Sequence, residues 1–332
     1  MLAIGYTGTG PLAAFETDRP VPGPHDLLVR VSAIAVNPVD TKIRSRVTPP
    51  ADQPKILGWD AVGIVEEVGS EVTRFKAGDR VWYAGDVTRS GCNAEFQCVD
   101  SRIAAIAPKT LSDAEAAALP LTTITAWEML FDRLQVPQGS AASDRIVLIV
   151  GASGGVGSIM VQLARQLTSA TVVGTASRAE SREWVKSLGA HYVLDHSKSL
   201  PEELKAAGLA DVTDVAGINR TGQHYADLVA MLRPQGRLSL IDDPAEVLDI
   251  KLMKQKCLSL HWEFMFTRPM FKTTDIEQQH HLLAEVARLV DKGVIKTTLG
   301  QHFGRITPEN LEKAHTLLKT EHTLGKLVLE GF

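Results

Sequence analysis

Cysteine is scarce in this chain. Its 332 residues hold three, Cys92, Cys98 and Cys257. They are odd in number and scattered, which argues against a disulfide framework and for a reducing compartment. Long apolar runs are missing too. No stretch approaches the ~20 apolar residues needed to span a bilayer. The N-terminal MLAIGYTGTG lacks the basic region and apolar core of a secretory signal. The expected location is the cytoplasm, with no membrane partner. Nor is there an excess of either charge: 35 Lys and Arg stand against 39 Asp and Glu, a net −4. That balance gives no electrostatic reason to expect nucleic acid or an anionic surface as partner. Internal repeats and low-complexity tracts are absent. What remains is an ordinary soluble composition, 44% apolar and 22% charged, on a chain long enough for two domains.

The first third reads as β structure. LLVRVSAIAVN, AVGIVEEV and DRVWYAG are rich in valine and isoleucine, with Gly, Pro and Asp at the breaks. Prolines crowd residues 20–24 and 49–54, which are read as loops. In SDAEAAALP, Ser112 is the expected N-cap and Glu115 its capping-box partner. From residue 145 the pattern alternates. RIVLIV, TVVGTAS, HYVLD, DVTDVAGI and GRLSLID read as strands, separated by segments of helical period, and CLSLHWEFM closes the series. Strand–helix alternation with short connections is the mark of a doubly wound parallel sheet. After Pro269 the chain predicts helices at DIEQQHHLLAEVARLVDKG and PENLEKAHTLLKT, then a last strand, GKLVLEG. His280 and His281 are adjacent on the first of these helices, point in different directions and do not make a metal pair.

GASGGVG, Gly151–Gly157, sits between RIVLIV and SIMVQLARQL. Four glycines in seven residues would weaken a strand or a helix. Between the two they suit a phosphate-binding turn. The early glycines allow a tight turn and close approach of backbone to a pyrophosphate. Gly157 lets the helix lie close on the strand, and the open N–H groups of the helix start face the anion. The turn as a whole, Gly151, Ser153, Gly154, Gly155, Val156 and Gly157, is assigned to a dinucleotide. NAD-binding folds usually carry an acid about 20 residues on, for the ribose 2′-hydroxyl. Here TVVGTASRAES ends in Ser177 and Arg178 instead. A guanidinium beside a hydroxyl suits a 2′-phosphate, which favours NADPH over NADH. The alternative is that Arg178 only opens a surface helix.

Several separate motifs occur in one order: AVNPVDTKIR (35–44), GWDAVGIVEEVG (58–69), AGDRV (77–81), AAALPLTTITAWEML (116–130), GASGGVG (151–157) and SLHWEFMFTRP (259–269). In this the chain resembles the medium-chain dehydrogenases/reductases over essentially its whole length. The similarity is to the quinone oxidoreductase branch and the group labelled zinc-type alcohol dehydrogenase-like proteins. The resemblance implies an α/β protein in which a Rossmann doubly wound parallel sheet (124–268) is inserted in a mostly β GroES-like domain made of both chain ends (1–123 and 269–332), with NADPH as cofactor.

The zinc enzymes of this family place cysteine at Asn37, histidine at Trp59 and glutamate at Asp60. Neither amide nor indole is a normal zinc ligand. The four-cysteine structural lobe has no counterpart, so no metal is expected. Without a Lewis acid the hydride acceptor must need less polarisation, as quinones and conjugated enones do. Quinone reductases carry Asn-x-x-Asp-Thr-Tyr where this chain has Asn37-Pro38-Val39-Asp40-Thr41-Lys42. Lys42 then either stabilises a developing enolate or quinol oxygen, or pairs with Asp40 or solvent. Asn37 either orients substrate or nicotinamide ribose, or caps a turn.

The resemblance further implies cofactor contacts from Thr125, Asn219, Ile241 and Asp242 near the nicotinamide side. It implies others from His196 and Arg268 toward the adenosine phosphate, and from Lys326. For Thr125 a helix-start hydroxyl, for His196 a surface histidine and for Lys326 a solvated strand residue are the competing readings. The function expected is zinc-independent, NADPH-dependent reduction of a quinone or activated alkene. Two others stay open: reduction of ketones or aldehydes, and a crystallin-like NADPH-binding protein with little turnover. A small-molecule substrate and a homodimer formed through the edge strand 257–265 complete the expectation. Strand alternation there puts Trp262, Phe264 and Phe266 on one face and His261, Glu263 and Met265 on the other.

Overall fold

The computed structural model describes residues 1–332. They form two compact units, one of Met1–Ile124 with Phe266–Phe332, the other of Thr125–Met265. No helix is long and apolar enough to cross a membrane.

The first segment of unit one runs β1 (Leu2–Tyr6), β2 (Ala13–Glu16), β3 (Asp26–Val36), α1 (Pro38–Arg46), β4 (Lys55–Ile56), β5 (Ala61–Val68), β6 (Arg80–Tyr83), β7 (Phe96–Asp100), β8 (Ala104–Ile106) and α2 (Asp113–Ala117). The next helix is α3 (Pro120–Trp127). β3 is nearly all apolar and buried on both faces. It is the spine of the unit, pairing antiparallel with β5 and with β7. Ser112 caps α2 with Glu115 as reciprocal partner, as its sequence requires. Sequence reading placed no helix at α1. The signals were there: Asn37 at the N-cap, Pro38 in the first turn, and Asp40 accepting the Asn37 N–H.

Unit two opens with a π-helical turn, Glu128–Arg133, then β9 (Ile146–Val150), α4 (Gly155–Leu167), β10 (Thr171–Thr175), α5 (Ala179–Ser187), β11 (Tyr192–Leu194), α6 (Leu200–Ala206), β12 (Val212–Gly217), α7 (Thr221–Met231), β13 (Leu232–Leu240) and β14 (Ser259–Trp262). The sheet order is β11-β10-β9-β12-β13-β14, all parallel. That is the doubly wound arrangement with its reversal between β9 and β12. β9 and β12 are buried on both faces; β9 is accordingly a continuous apolar run, while β12 carries Asp214, which accepts from Arg145 at 2.6 Å. Leu148, Val150, Val215, Leu238 and Leu240 form the centre of the core with Leu228 and Leu232.

The chain then completes unit one with α8 (Thr267–Phe271), α9 (Gln278–Asp291), β15 (Leu299–His302), α10 (Pro308–Lys319) and β16 (Lys326–Glu330). β16 pairs antiparallel with β3, so the two chain ends share one sheet.

The closing strand is shorter than its sequence suggests. β14 pairs with β13 only from Ser259 to Trp262. Burial still alternates past its end: Trp262 and Phe264 are 55% and 49% exposed, while Glu263 and Met265 are buried. Phe266 departs from the expected face. It is 2% exposed and packs edge-on against Trp59 in unit one. His280 is a packing residue, its Nδ1 2.7 Å from the Ala104 carbonyl and its ring edge-on to Phe75.

Candidate functional site

In unit two the glycine turn lies where the sheet order reverses. Gly151 ends β9 with φ +84°, a conformation side chains rarely adopt. A Cβ on it would face Asn219 and Ile218 at 3.5 and 3.8 Å, so the loops after β9 and β12 line one crevice. Gly157 has a different reason. A Cβ there would stand 2.3 Å from the Gly151 carbonyl oxygen, so only glycine lets α4 start against the strand end. Gly154 is the helix N-cap and no side chain caps the first turn. Open backbone N–H groups at the carboxyl end of a parallel strand fit a pyrophosphate. Thr175, ending β10, holds the turn in place: its Oγ1 accepts the Gly151 N–H at 3.1 Å and its carbonyl the Ala152 N–H at 3.2 Å.

Around this crevice stand the other expected residues of the unit. Ser177 is half-buried and Arg178 exposed, at the N-cap of α5. His196 Nδ1 lies 3.1 Å from Thr175 Oγ1. Asn219 and Ile241 are partly exposed at the ends of β12 and β13. Asp242 is committed otherwise: its carboxylate accepts both the N–H and the hydroxyl of Thr221 and so caps α7. Thr125 is buried within α3.

In unit one the structure brings Asn37, the N-cap of α1, and Lys326 together. Asn37 is 1% exposed, and its amide group donates to the Trp59 carbonyl and Asp60 Oδ2, each at 3.0 Å, with a longer contact to Ala35. Its Oδ1 accepts from Lys326 Nζ. That ammonium also donates to Asp60 Oδ2 at 2.9 Å and to the Val36 carbonyl at 3.0 Å, which uses all three donors. Asp60 Oδ1 accepts the Leu121 N–H at 2.8 Å. In this structure the Asn37 amide and the Lys326 ammonium are both engaged within the fold, and Lys326, 3% exposed, is not a solvated strand residue.

Asp40 adjoins the same cluster. Its Oδ2 accepts the Asn37 N–H at 2.6 Å, while Oδ1 is buried without a donor. Burial pushes its carboxyl up to about 7, against the pull of the Asn37 N–H and Lys326 and with the help of the Asp60 charge. Burial also raises Asp60, opposed by Lys326 and the Asn37 amide. Lys326 pairs directly with Asp60 and acts on Asp40 only through its charge. Cys92 donates to the Asp60 carbonyl at 3.4 Å and is raised by burial.

The donor set does not fit zinc. Asn37 Oδ1 and Asp60 are taken by an ammonium. The Trp59 indole has no lone pair to give and donates to the Asp86 carbonyl at 3.1 Å. No group of three His, Cys, Asp or Glu is placed to hold a metal ion. Lys42 lies half-buried on α1. Arg268, 9% exposed, donates from Nε and one terminal nitrogen to Asp275 Oδ2 at 3.0 and 2.9 Å.

Sequence reading missed a second buried acid pair. Glu128, in the π-helical turn, and Glu263, just after β14, are 1% and 3% exposed. Arg133 Nε donates to Glu263 Oε2 at 2.8 Å, and burial beside Glu128 pushes Glu263 up to about 9. A lone acid within an apolar segment, as in TAWEML and LHWEFM, was the available signal.

Comparison with known proteins agrees with this architecture. Residues 23–109 match the alcohol dehydrogenase GroES-like domain, and residues 188–329 the zinc-binding dehydrogenase domain. A zinc-type alcohol dehydrogenase-like protein of Staphylococcus aureus (strain MSSA476) is 39% identical over 95% of this chain and 93% of its own. The crystal structure of a candidate zinc-dependent alcohol dehydrogenase from Rhizobium etli CFN 42 superposes with TM-score 0.95 and 52% identity, over 100% of this chain and 98% of that one. Escherichia coli quinone oxidoreductase complexed with NADPH superposes with TM-score 0.84 and 27% identity, over 99% and 100%. The chain belongs to the medium-chain dehydrogenase/reductase superfamily, among its zinc-type alcohol dehydrogenase-like members, and is an oxidoreductase of the nicotinamide-dependent kind.

Proposed function

We propose that this chain reduces a quinone or a conjugated alkene with NADPH, without a metal. The observation that carries the reading is the closed Asn37–Asp60–Lys326 cluster, in which an ammonium takes the acceptors a polarising cation would need. An acceptor that spreads its negative charge over a conjugated system requires the least polarisation. The cofactor supplies the hydride. The glycine turn binds its pyrophosphate through open N–H groups, and Ser177 and Arg178 read the 2′-phosphate. Thr125, Asn219 and the backbone at Ile241 and Asp242 flank the nicotinamide. Lys42 steadies the developing oxyanion and holds the proton delivered to it. Its helix, α1, is fixed through Asn37 and Asp40, which makes the buried cluster a positioning device. Arg268, held by Asp275, and Lys326 are assigned to unit one's own stability.

NADPH oxidation with a panel of quinones, enones and ketones tests the reading. Turnover of quinones or enones, with kcat reduced in Lys42→Met, is expected. A preference for simple ketones would overturn it, and binding without turnover would favour the crystallin-like alternative.

Arg178→Ala is expected to weaken NADPH by about 1.5–3 kcal/mol, the usual worth of a hydrogen bond to a charged group, and NADH far less. Fluorescence titration with both cofactors checks this. Equal losses would remove Arg178 from the 2′-phosphate.

The edge strand supports a homodimer. β14 has one neighbour, β13, so its other side shows unpaired backbone groups. Trp262 and Phe264 are exposed there, and Ile250 and Leu252, on the segment leading into it, are 65% and 49% exposed. A twofold-related copy would extend the sheet and cover this edge. Sedimentation at micromolar concentration should give a dimer, and Trp262→Glu with Phe264→Glu a monomer. A wild-type monomer would exclude the pairing.

A further inference from the structure

The phosphate-binding turn is held from a second side, by the helix that follows β10. Ser158, in the first turn of α4, is 0% exposed. Its N–H donates to the Gly154 carbonyl at 2.9 Å, the ordinary helical bond. Its hydroxyl reaches one residue further back and donates to the Ser153 carbonyl at 3.2 Å. The same hydroxyl oxygen accepts the Trp184 indole N–H at 2.8 Å. Trp184 lies on α5 and is half-buried. A buried hydroxyl needs its partners, and an indole has a single donor to give. The chain Trp184–Ser158–Ser153 therefore ends on a carbonyl inside the turn itself.

The same helix carries Arg178 at its N-cap. The Arg178 carbonyl accepts the Ser181 hydroxyl at 2.9 Å and the Arg182 N–H at 3.0 Å, so its backbone moves with α5. Val185, next to Trp184, packs on β10 where Gly174 leaves room. A Cβ on Gly174 would stand 2.7 Å from Val185 Cγ1 and 2.9 Å from Ala152 Cβ. Helix, strand and turn thus meet at one point. Apolar contact there draws α5 close but has no direction. A hydrogen bond does have one, with a narrow range of length and angle. The Trp184–Ser158 bond gives α5 a fixed register against α4.

We propose that Trp184 is a positioning residue for the dinucleotide. Through Ser158 it steadies the Ser153–Gly154 peptide, and with it the open N–H groups at the start of α4. Through α5 it sets where Arg178 stands relative to those groups. The inference rests on the proposed cofactor reading and adds to it a residue that acts through two others. One hydrogen bond then supports both parts of the recognition, the pyrophosphate and the 2′-phosphate. Its loss weakens either cofactor, and NADPH the more, because only NADPH carries the phosphate assigned to Arg178. The hydride step itself is untouched.

Calorimetry of NADPH and NADH with the full chain tests this. Trp184→Phe keeps an aromatic ring and removes the N–H. It should weaken NADH about three- to tenfold, the range of one neutral hydrogen bond, and NADPH by more. Ser158→Ala should do the same. The double variant should be no weaker than either single one, since both break one chain. With an accepted quinone or enone, KM for the cofactor should rise while kcat at saturation holds. The wild type gives a second reading that does not depend on the variants. By NMR, the Trp184 indole hydrogen should exchange slowly with solvent in the free chain, and more slowly with NADPH bound. Unchanged affinity in either variant, additive losses, or an indole hydrogen whose exchange ignores the cofactor would overturn the positioning role and leave the cofactor reading standing. Equal losses for NADPH and NADH would overturn the link to Arg178. A wild type that binds neither cofactor would overturn both the positioning role and the cofactor reading.

Discussion

Replacing Lys326 by methionine is expected to cost about 3–5 kcal/mol of unfolding free energy, the loss that follows when one partner of a buried ion pair is removed. The size follows from what the ammonium leaves behind. Asp60 is 0% exposed, and Lys326 Nζ is the cation that faces it. Asn37 Oδ1 and the Val36 carbonyl lose their donor in the same step. Methionine fills the space of the stem but offers no hydrogen bond. The loss should shrink in acid, where Asp60 takes a proton and no longer needs a counter-charge. Asp60→Asn together with Lys326→Met should recover part of the stability, because it removes the stranded charge. Urea unfolding at two pH values, completed as a double-mutant cycle, measures the coupling. A loss below about 1 kcal/mol would mean that Lys326 is an ordinary surface-like cation, in the range of exposed pairs. The same variant reports on α1. Asn37 is its N-cap, so a loosened cluster should also lower kcat through Lys42.

The glycine turn and the strand–helix alternation were legible in the sequence because their causes are local. A positive φ at Gly151 and the contact under Gly157 each demand glycine within a seven-residue stretch. A strand buried on both faces must be apolar throughout, as β9 is. The Asn37–Lys326 bond joins residues 289 apart, and no periodicity links them. Read alone, Asn37 is a substrate or ribose contact or a turn cap, and Lys326 a cofactor contact or a solvated strand residue; neither reading pairs them. Only the pairing of β16 with β3 brings Leu327 opposite Val36 and closes the cluster. The edge strand failed for a related reason. Alternation predicts faces only while a ladder lasts, and β14 stops pairing at Trp262 opposite Leu240. The Glu263 N–H still bonds to the Leu240 carbonyl at 2.9 Å, and beyond it Phe266 turns into unit one.

Stability should fall as the pH rises from about 4.5 to about 9, through the Glu128–Glu263 pair. In the folded chain Glu263 is pushed up to about 9, first by burial and then by the facing Glu128 carboxyl, with Arg133 opposing. In the unfolded chain both acids titrate near the ordinary glutamate value of roughly 4.3. Between those limits the folded state holds a proton that the unfolded state has released. Unfolding free energy therefore declines with pH, by at most about 1.4 kcal/mol per unit for one proton. Below the window both states are protonated, and above it both are ionised, so the slope vanishes at each end. The pair titrates as a unit, and its single retained proton leaves one negative charge against the Arg133 guanidinium. A glutamine at the protonated position can reproduce its hydrogen bonds without titrating. Glu263→Gln, or Glu128→Gln if the proton resides there, should flatten the profile and exceed the wild type in stability at pH 8–9. Chemical unfolding of the three proteins from pH 5 to 9 decides this, and parallel profiles would show that the pair is fully ionised in the fold. Glu263 directly follows the exposed edge strand, so loss of its proton should also loosen Trp262 and Phe264. A dimer formed through β14 would then dissociate more readily above pH 9 in the wild type than in the glutamine variant, which sedimentation at the two pH values would show.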